Sequence, residues 1–563
     1  MFKNLSIQTI KENLLAGCQR FPIVILFAVL SAMGCCYLNH LDGTFTAQST
    51  TLFVYYPITA MLLALVLRLW SEEVKNRELN IAIQVMLHIG WFGLVFWLSN
   101  CMPGDMIEAT TMIALVLVLV VMIFIVSFLK RKNELGLWNF TYRLLIGLII
   151  SGLAATVLMA GIQLLIEAFV QLFGFDIGWL YRVDIIFTCY TFILPLIFLQ
   201  FIPEQDKKHN ESSTGLSSVL LGIVHYALVP LLLAYFLTLY GYTIKILVAW
   251  QLPNGWVSWL VTAMMLGTMA IMALLYPSQF QEGKKFDKSL LRWLPVAALP
   301  LLMLMSIGIG RRLSDYGITV ARLYILTFNI WCYAVCLYLI LNKSRRMLLI
   351  PVSFVIIALL SSVGPQSYAN ITLHSMKNQV KQILTKAPNV KLPITKKALG
   401  KFIKTLPKEE KQVLIDKGSY LTENYRAEQQ EELWNKNSIP YFFWYDFTEG
   451  DNVANINSYN VDTLIEKPTI LPNGYKSFVY ITNGNCTIKK TEGDNIITTV
   501  KANDKKYDLT FSKKELEAAA ENQKNAQIHA TGDNMLLLVN SLYFNIKDEV
   551  TDISSIQGIL FIK

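Results

Sequence analysis

Residues 288–365 read KSLLRWLPVAALPLLMLMSIGIGRRLSDYGITVARLYILTFNIWCYAVCLYLILNKSRRMLLIPVSFVIIALLSSVGP, and this stretch decides the fold. Three apolar runs are separated by two short charged breaks, residues 311–322 and 342–346. Each run is about long enough to cross a bilayer as a helix that rises roughly 1.5 Å per residue. Backbone polar groups cannot go unpaired in lipid, so these runs predict membrane-spanning helices.

The first 365 residues all have this character, whereas the remainder is polar. The chain has 563 residues, of which 54% are hydrophobic and 16% charged, against roughly 25% charged residues in an average soluble protein. The predicted spans are residues 21–38, 51–70, 81–99, 109–129, 143–171, 184–202, 217–241, 257–276, 293–310, 320–341 and 347–364. We therefore predict an α-helical polytopic membrane bundle of about eleven transmembrane helices, followed by a small soluble α+β domain.

Three regions follow from the change in composition. Residues 1–365 are predicted to form the transmembrane helical domain. Residues 366–435 are predicted to form an amphipathic and helical connector, because apolar residues from Leu373 to Leu384 recur at helical spacing. Residues 436–563 are predicted to form a strand-rich α+β domain. Its predicted strands are residues 440–447, 475–482, 485–490, 495–501, 506–511, 535–546 and 557–562, with hairpin turns at 483–484 and 492–494.

The basic residues predict the orientation of the spans. Residues 1–365 carry 24 Lys and Arg against 17 Asp and Glu, so most of the net charge of +9 belongs to the membrane region. With a cytoplasmic N-terminus, 19 of these basic residues fall on the cytoplasmic side and 5 on the other, as the positive-inside rule requires. Eleven spans then place the C-terminal domain outside the cytoplasm. This distribution explains the positive charge without a nucleic-acid partner.

A short outer turn between two spans holds the first candidate site. Arg311, Arg312 and Arg322 flank it, and Asp315 and Tyr316 lie within it. One interpretation is that Arg–Asp pairing and snorkelling satisfy these charges at the membrane interface. The other interpretation is an anion or lipid-headgroup site on the outer face.

The second set of candidates lies within the spans. His88, Glu167 and His225 are ionisable residues in apolar runs, where such groups are functional candidates by default. Alternatively, the histidines are neutral and hydrogen-bonded between helices, and Glu167 lies near the outer end of its span. The spans show neither a relay of charged residues nor the paired, glycine-interrupted half-helices typical of a transport site.

The polar C-terminal part carries no recognised catalytic motif. It contains no nucleophile elbow, zinc-protease motif, glycine-rich phosphate loop or calcium-binding loop. The eight cysteines of the chain lack zinc-type spacing with histidine. We therefore predict no catalytic residue, metal or cofactor. The aromatic residues 441–445 would suit stacking on a glycan, but a buried strand is the simpler interpretation.

Several stretches resemble a known family. They are YGYTIKILVAWQLPNGWVSWLV (240–261), IGRRLSDYGIT (309–319), IPVSFVIIALLSSVGP (350–365) and WNFTYRLLIGLIISGL (138–153). The chain resembles the uncharacterised bacterial membrane family catalogued as domain of unknown function 4153. Val320 and Ala321 depart from the acidic and polar pair expected there. The resemblance implies a polytopic protein of the bacterial inner membrane and no particular activity.

Three functions remain open from the sequence. The first is a non-enzymatic envelope protein that anchors an extracytoplasmic domain, which binds an envelope protein or glycan or senses a condition. The second is a transporter or channel for a small or lipidic solute. The third is a membrane-embedded transferase that acts on a lipid-linked substrate through the outer arginines, whose planar guanidinium groups suit phosphate. In all three, the lipid bilayer is a partner and nucleic acid is not.

Overall fold

The computed structural model describes residues 7–41, 46–74, 77–101, 105–130, 133–174, 177–209, 216–249, 256–386, 392–434, 439, 443–444, 447, 457–462, 477–492, 495–502, 505–516, 529–532, 535–546 and 550–562. Internal contacts divide the chain into two compact units. The membrane unit comprises residues 1–394 and 420–436, and the strand-rich unit comprises residues 395–419 and 437–563. Each unit is described by itself. The predicted domain bounds stay a prediction.

The membrane unit is built from helices. In chain order they are α1 (Ile7–Arg20), α2 (Pro22–Asn39), α3 (Ala47–Ser71), α4 (Arg77–Cys101), α5 (Met106–Phe128), α6 (Glu134–Phe173), α7 (Trp179–Phe201), α8 (Ser218–Ala249), α9 (Val257–Gln279), α10 (Lys285–Tyr316), α11 (Val320–Leu341), α12 (Leu349–Ser362) and α13 (Tyr368–Thr385). Among the described residues, ten helices, α2 to α11, are long and apolar enough to cross a membrane. The predicted polytopic bundle is confirmed.

The eleventh predicted span is the short helix α12. Its 14 residues reach about 21 Å, less than the roughly 30 Å of a bilayer core. The backbone N–H groups of Met347 and Leu348, just before α12, donate to the Glu134 carboxylate at 3.0 and 3.1 Å. At its other end, the Ser362 carbonyl accepts from the Thr111 hydroxyl at 2.9 Å. Thr111 lies near the start of α5 and Glu134 follows its end, so α12 runs antiparallel beside α5.

Three membrane helices contain a wide π-helical turn: residues Thr51–Tyr55 in α3, Cys189–Ile193 in α7 and Val224–Leu228 in α8. A proline follows each turn by two residues, at Pro57, Pro195 and Pro230. Proline lacks an N–H group, and its ring clashes with the carbonyl four residues earlier. In all three helices that carbonyl lies inside the π-turn, which gives the wider turn a physical reason. Such turns occur frequently at functional sites.

The connector packs on the membrane unit. Helix α13 buries one face, which includes Leu373, Met376 and Val380, and this confirms the predicted amphipathic helix. Residues 420–434 contact α13. The Tyr425 hydroxyl donates 2.8 Å to the Ala369 carbonyl, and Lys377 pairs with Glu432 at 3.4 Å.

The strand-rich unit contains a closed antiparallel barrel. Its strands are β1 (Asn457–Asp462), β2 (Ser477–Glu492), β3 (Asn495–Ala502), β4 (Lys505–Ser512), β5 (His529–Gly532), β6 (Met535–Ile546) and β7 (Val550–Ile562). Strands β2 to β7 pair in sequence order, and β7 also pairs with β2, which closes the ring. β1 pairs antiparallel with the C-terminal half of β6, residues 541–546. Closure removes the exposed strand edges of an open sheet.

Buried side chains from alternate residues of the strands fill the interior of the barrel. Ile496, Thr498 and Val500 of β3 are buried, and their register partners Phe511, Leu509 and Tyr507 on β4 are buried too. Every second residue of these strands points inward, because successive side chains of a strand lie on opposite faces. The same unit also contains the helix α14 (Lys396–Thr405) and most of α15 (Lys408–Asn424).

The structure corrects parts of the strand prediction. The turn predicted at Asn483-Gly484 is wrong: β2 continues through it, with a register shift between Ile481 and Gly484 where it pairs with β7. The predicted hairpin at 492–494 is confirmed, because Glu492 pairs with Asn495. The strand predicted at 440–447 is wrong for Phe443, Trp444 and Phe447, which lie in helical turns.

Candidate functional site

The outer-turn arginines are held largely by the protein itself. Arg311 pairs with Asp315 one helical turn away, at 3.3 Å, and both side chains are nearly half exposed. Arg322 donates 2.7 Å to the carbonyl of Gly317, and the Thr319 hydroxyl caps α11 by accepting from the Arg322 backbone N–H. These contacts favour the interpretation of paired interfacial charges. The side chain of Tyr316 lies outside the described residues, and Arg312 is half-buried.

The connector covers part of this turn. Burial raises the pKa of Tyr420, while its hydrogen bond to the Val320 backbone and the nearby Arg322 charge oppose the rise. Tyr420 therefore lies against the start of α11, at the residues that the sequence indicated as a ligand site. Arg322 is consequently a contact of the connector as well as a residue of the turn.

The structure places His88 and Glu167 apart, with different partners. His88 Nδ1 lies 2.8 Å from the Gln84 carbonyl oxygen, and its ring stacks on Phe27. A carbonyl only accepts, so Nδ1 carries the proton. Glu167 pairs with Arg182 at 2.9 Å and joins α6 to α7. The described contacts of these two residues do not connect them to each other or to His225.

His225 makes the contact with the clearest chemistry. Its Nε2 lies 2.7 Å from Oδ1 of Asp287, at the start of α10. Its Nδ1 lies 3.0 Å from the Leu221 carbonyl oxygen and therefore donates. Asp287 is 2% exposed. Its second oxygen, Oδ2, is buried without a hydrogen-bond partner among the described residues.

This geometry fixes one proton between two residues. Because Nδ1 already donates, the Nε2–Oδ1 contact needs either a protonated imidazole beside a carboxylate or a neutral imidazole that accepts from a carboxylic acid. The proton passes between these two forms without moving either side chain. His225 also lies in the π-turn of α8. The pair therefore joins α8 to α10 through one shared proton.

Sequence reasoning missed the partners of the histidines. Besides Asp287, the structure pairs His40 with Asp184 at 2.6 Å and His209 with Glu73 at 2.9 Å. Each pair joins residues more than 60 positions apart in the chain. The available signal was the presence of single carboxylates at the ends of apolar runs, but sequence alone gives no reason to match one with a given histidine.

A second missed position is the connector contact at Asp105, the N-cap residue of α5. Asp105 is 2% exposed, and its carboxylate accepts from the Gln429 amide and from the Ile107 backbone N–H. Burial raises the pKa of Asp105, and these hydrogen bonds oppose the rise only in part. The connector is thus attached to the membrane unit by a buried polar contact.

Two open apolar clefts flank α12. One has a volume of about 340 Å³ and is lined by residues such as Leu137, Met272 and Ile350. The other measures about 430 Å³ and is lined by residues such as Leu117, Phe328 and Phe354. Among the described residues, no group of three histidine, cysteine or acidic side chains is arranged to hold a metal ion.

Comparison with known proteins identifies the family. No curated protein and no solved structure matches the chain. The model of the family described as Domain of unknown function (DUF4153) matches residues 23–392. This range contains all ten long membrane helices except the first residue of α2, together with α12 and α13. The chain belongs to this family.

Proposed function

We propose that this multi-pass membrane protein anchors its strand-rich unit outside the cytoplasm, where that unit binds an envelope protein or glycan. The membrane helices and the connector serve as a rigid base. The chain carries out no covalent chemistry in this proposal.

The docked connector is the observation that carries the proposal. Two separate segments, α13 and residues 420–434, pack together, and residues 420–434 also contact the starts of α5 and α11. Gln430 donates its amide to the carbonyls of Leu421 and Tyr425 at 2.9 and 2.7 Å, and it accepts from Trp434 Nε1 at 3.0 Å. Such fully hydrogen-bonded buried polar groups specify one arrangement. A flexible tether would not need them.

The orientation of the spans supports the location of the unit. Residue Ser362 ends α12 beside Thr111, near the start of α5. Asp105, which holds the connector, also lies at the start of α5. The chain therefore leaves the bundle at the end opposite the N-terminus of α2, if α2 to α12 cross in alternation. With the charge distribution that predicts a cytoplasmic N-terminus, this end faces outward.

Site-specific photocrosslinking in intact cells tests the proposal. A photoreactive residue replaces Phe478, Lys506 or Gln557, which are exposed in the barrel. The control position is Tyr226 on α8, which is 88% exposed within the membrane unit. We expect a discrete protein or glycan adduct from a barrel position and lipid adducts from Tyr226. If no barrel position gives an adduct above the control, the proposal fails.

One observation favours a second candidate function, the proton-linked passage of a small solute. The His225–Asp287 pair holds a shared proton, and one carboxylate oxygen is left buried without a described partner. A water-accessible path to this pair is the requirement. Cysteine substitutions at positions 225 and 287 would be labelled by a small polar reagent if such a path exists. Two unlabelled positions would eliminate this candidate.

A further inference from the structure

A small pocket lies where α2 begins, α3 ends and α4 begins. Its volume is about 130 Å³, and its wall includes Arg20, Arg68 and Gln84, with Phe21, Val24 and Ala64 as an apolar floor. At roughly 30 Å³ per water molecule in the liquid, this space holds about four waters. That is the scale of a phosphate group with part of a glycerol backbone.

More than one cation faces the carboxylate of Glu72 beside the pocket. Glu72 is 7% exposed at its side chain and is held by Arg20, whose Nε and Nη2 donate to its two oxygens at 2.9 and 3.0 Å. The fully buried ammonium group of Lys208 lies against the same carboxylate. Two cations therefore already compensate this one carboxylate, and a third, Arg68, remains.

Arg68 is the cation available to a ligand. Its Nε lies 3.8 Å from Glu72 Oε1, which is an ion pair but too long for a hydrogen bond. The Arg68 side chain is 46% exposed, whereas Arg20 also donates to the carbonyls of Ile202 and Pro203 and is nearly saturated. A guanidinium with free N–H groups matches a phosphate bidentately.

The other walls of the pocket also favour a phosphate group. The pocket includes the first turn of α2, whose N-cap residue Phe21 makes no side-chain capping hydrogen bond. Pro22, the first residue, has no N–H, but the next N–H groups of this turn lack intrahelical partners and carry partial positive charge. Gln84 donates one amide hydrogen to Asn80 at 3.0 Å, and its second hydrogen and its oxygen have no partner among the described residues.

We propose that this pocket binds a phosphate group, and that its source is the headgroup of an anionic phospholipid. The apolar floor below a cationic rim favours a lipid over free phosphate, because it accepts the start of an acyl ester. Basic pockets between the ends of membrane helices are a known mode of anionic-lipid binding. The site is independent of the envelope-partner proposal above.

Binding by the full-length protein in detergent tests this proposal. The probes are short-chain phosphatidylglycerol, short-chain phosphatidylcholine and inorganic phosphate, titrated separately. The test variant is Arg68→Gln, which leaves the buried Glu72 contacts of Arg20 and Lys208 in place. The matched control is Arg292→Gln, an exposed arginine on α10. Thermal unfolding verifies that both variants are folded.

We expect the wild type to bind phosphatidylglycerol more tightly than phosphatidylcholine. Arg68→Gln should lose about tenfold or more in affinity, since a charge-assisted hydrogen bond is worth about 1.5–3 kcal/mol, and Arg292→Gln should bind as wild type. Arg68-dependent binding of inorganic phosphate without lipid binding would support the phosphate site and overturn lipid as its source. Equal binding by wild type and Arg68→Gln would overturn the site itself.

Discussion

The hydroxyl of Tyr425 donates a hydrogen bond of 2.8 Å to the carbonyl oxygen of Ala369, and both residues are buried. This bond joins the connector segment 420–434 to the first turn of α13. The two residues are 56 positions apart. The contact is therefore a tertiary one, which holds the two connector segments together.

Replacement of Tyr425 tests how strongly the connector is held. Tyr425→Phe should cost about 1 kcal/mol, the net value of one hydrogen bond. Tyr425→Ala should cost about 3–5 kcal/mol, because it also leaves a cavity where the ring was. Thermal unfolding of the full chain in detergent measures both changes. The control is Tyr226→Phe, whose side chain is exposed; a loss as large as that of Tyr425→Phe would contradict this account.

At Asp105, in contrast to Tyr425, we expect that a substitution which removes the charge does not lower the stability. Burial raises the pKa of Asp105, so the folded state binds a proton more readily than the unfolded state. The stability contributed by that proton is fully present below the pKa of Asp105 in the unfolded chain, about 3.9. It is lost as the pH rises through the pKa of Asp105 in the folded protein. Asp105→Asn keeps a capping oxygen and should be at least as stable as wild type at pH 7.

The matched variant for this position is Asp105→Ala, which loses the cap and should cost about 1 kcal/mol. Thermal unfolding at pH 7 and at pH 4.5 separates the two effects. Any advantage of Asp105→Asn should shrink at the lower pH. A loss at pH 7 as large as that of Asp105→Ala would show that the charge itself is needed for docking.

Glu72 should be sensitive to both mutation and acid. Burial acts to raise the pKa of Glu72, but the hydrogen bonds and charges of Arg20 and Lys208 outweigh it, so the pKa lies below the ordinary value. The stability that this carboxylate contributes is fully present above the pKa of Glu72 in the unfolded chain, about 4.3. It is lost as the pH falls through the pKa of Glu72 in the folded protein. Glu72→Gln should cost about 3–5 kcal/mol, because it strands buried cations.

The double variant Glu72→Gln, Lys208→Met should recover much of that loss, since it removes the fully buried cation as well. Glu204→Gln is the control, because the Glu204–Lys207 pair is exposed and such pairs contribute at most about 1 kcal/mol. Chemical unfolding across pH 3–8 measures the series. A double variant less stable than Glu72→Gln alone would refute this reasoning.

A close approach of two helices gives the fourth prediction. A Cβ atom on Gly34 in α2 would lie 1.9 Å from the carbonyl oxygen of Phe53, in the π-turn of α3. Gly34→Ala should therefore force the helices apart and cost about 1–3 kcal/mol. Gly90→Ala in α4 meets no described atom within 4 Å and should be neutral or slightly stabilising. Thermal unfolding of the two variants compares them directly.

Hydropathy predicts the membrane helices because the need to satisfy backbone polar groups in lipid acts on each segment separately. Strand β6 is likewise found at the predicted residues 535–546. Barrel closure could not be predicted, since it depends on the pairing of β2 with β7, about 80 residues apart. The Asn483-Gly484 pair has a turn composition, but glycine also suits the irregularity within a continuous strand found there.

Only one residue of the His225–Asp287 pair could be predicted from the sequence. His225 is conspicuous as an ionisable group in an apolar run, whereas Asp287 is one acidic residue among lysines at the start of α10. Their contact depends on the packing of α8 beside α10. The π-turns were missed too, although proline within an apolar run was a usable signal.

The central claim is that the strand-rich unit lies outside the cytoplasm. Compartment-specific reporters fused after Lys563 and after Arg346 test it most directly. We predict an extracytoplasmic signal at Lys563 and a cytoplasmic signal at Arg346, which requires the short helix α12 and its flanking residues to cross between them. A cytoplasmic signal at Lys563 would contradict the claim, and the partners of the strand-rich unit would then be cytoplasmic.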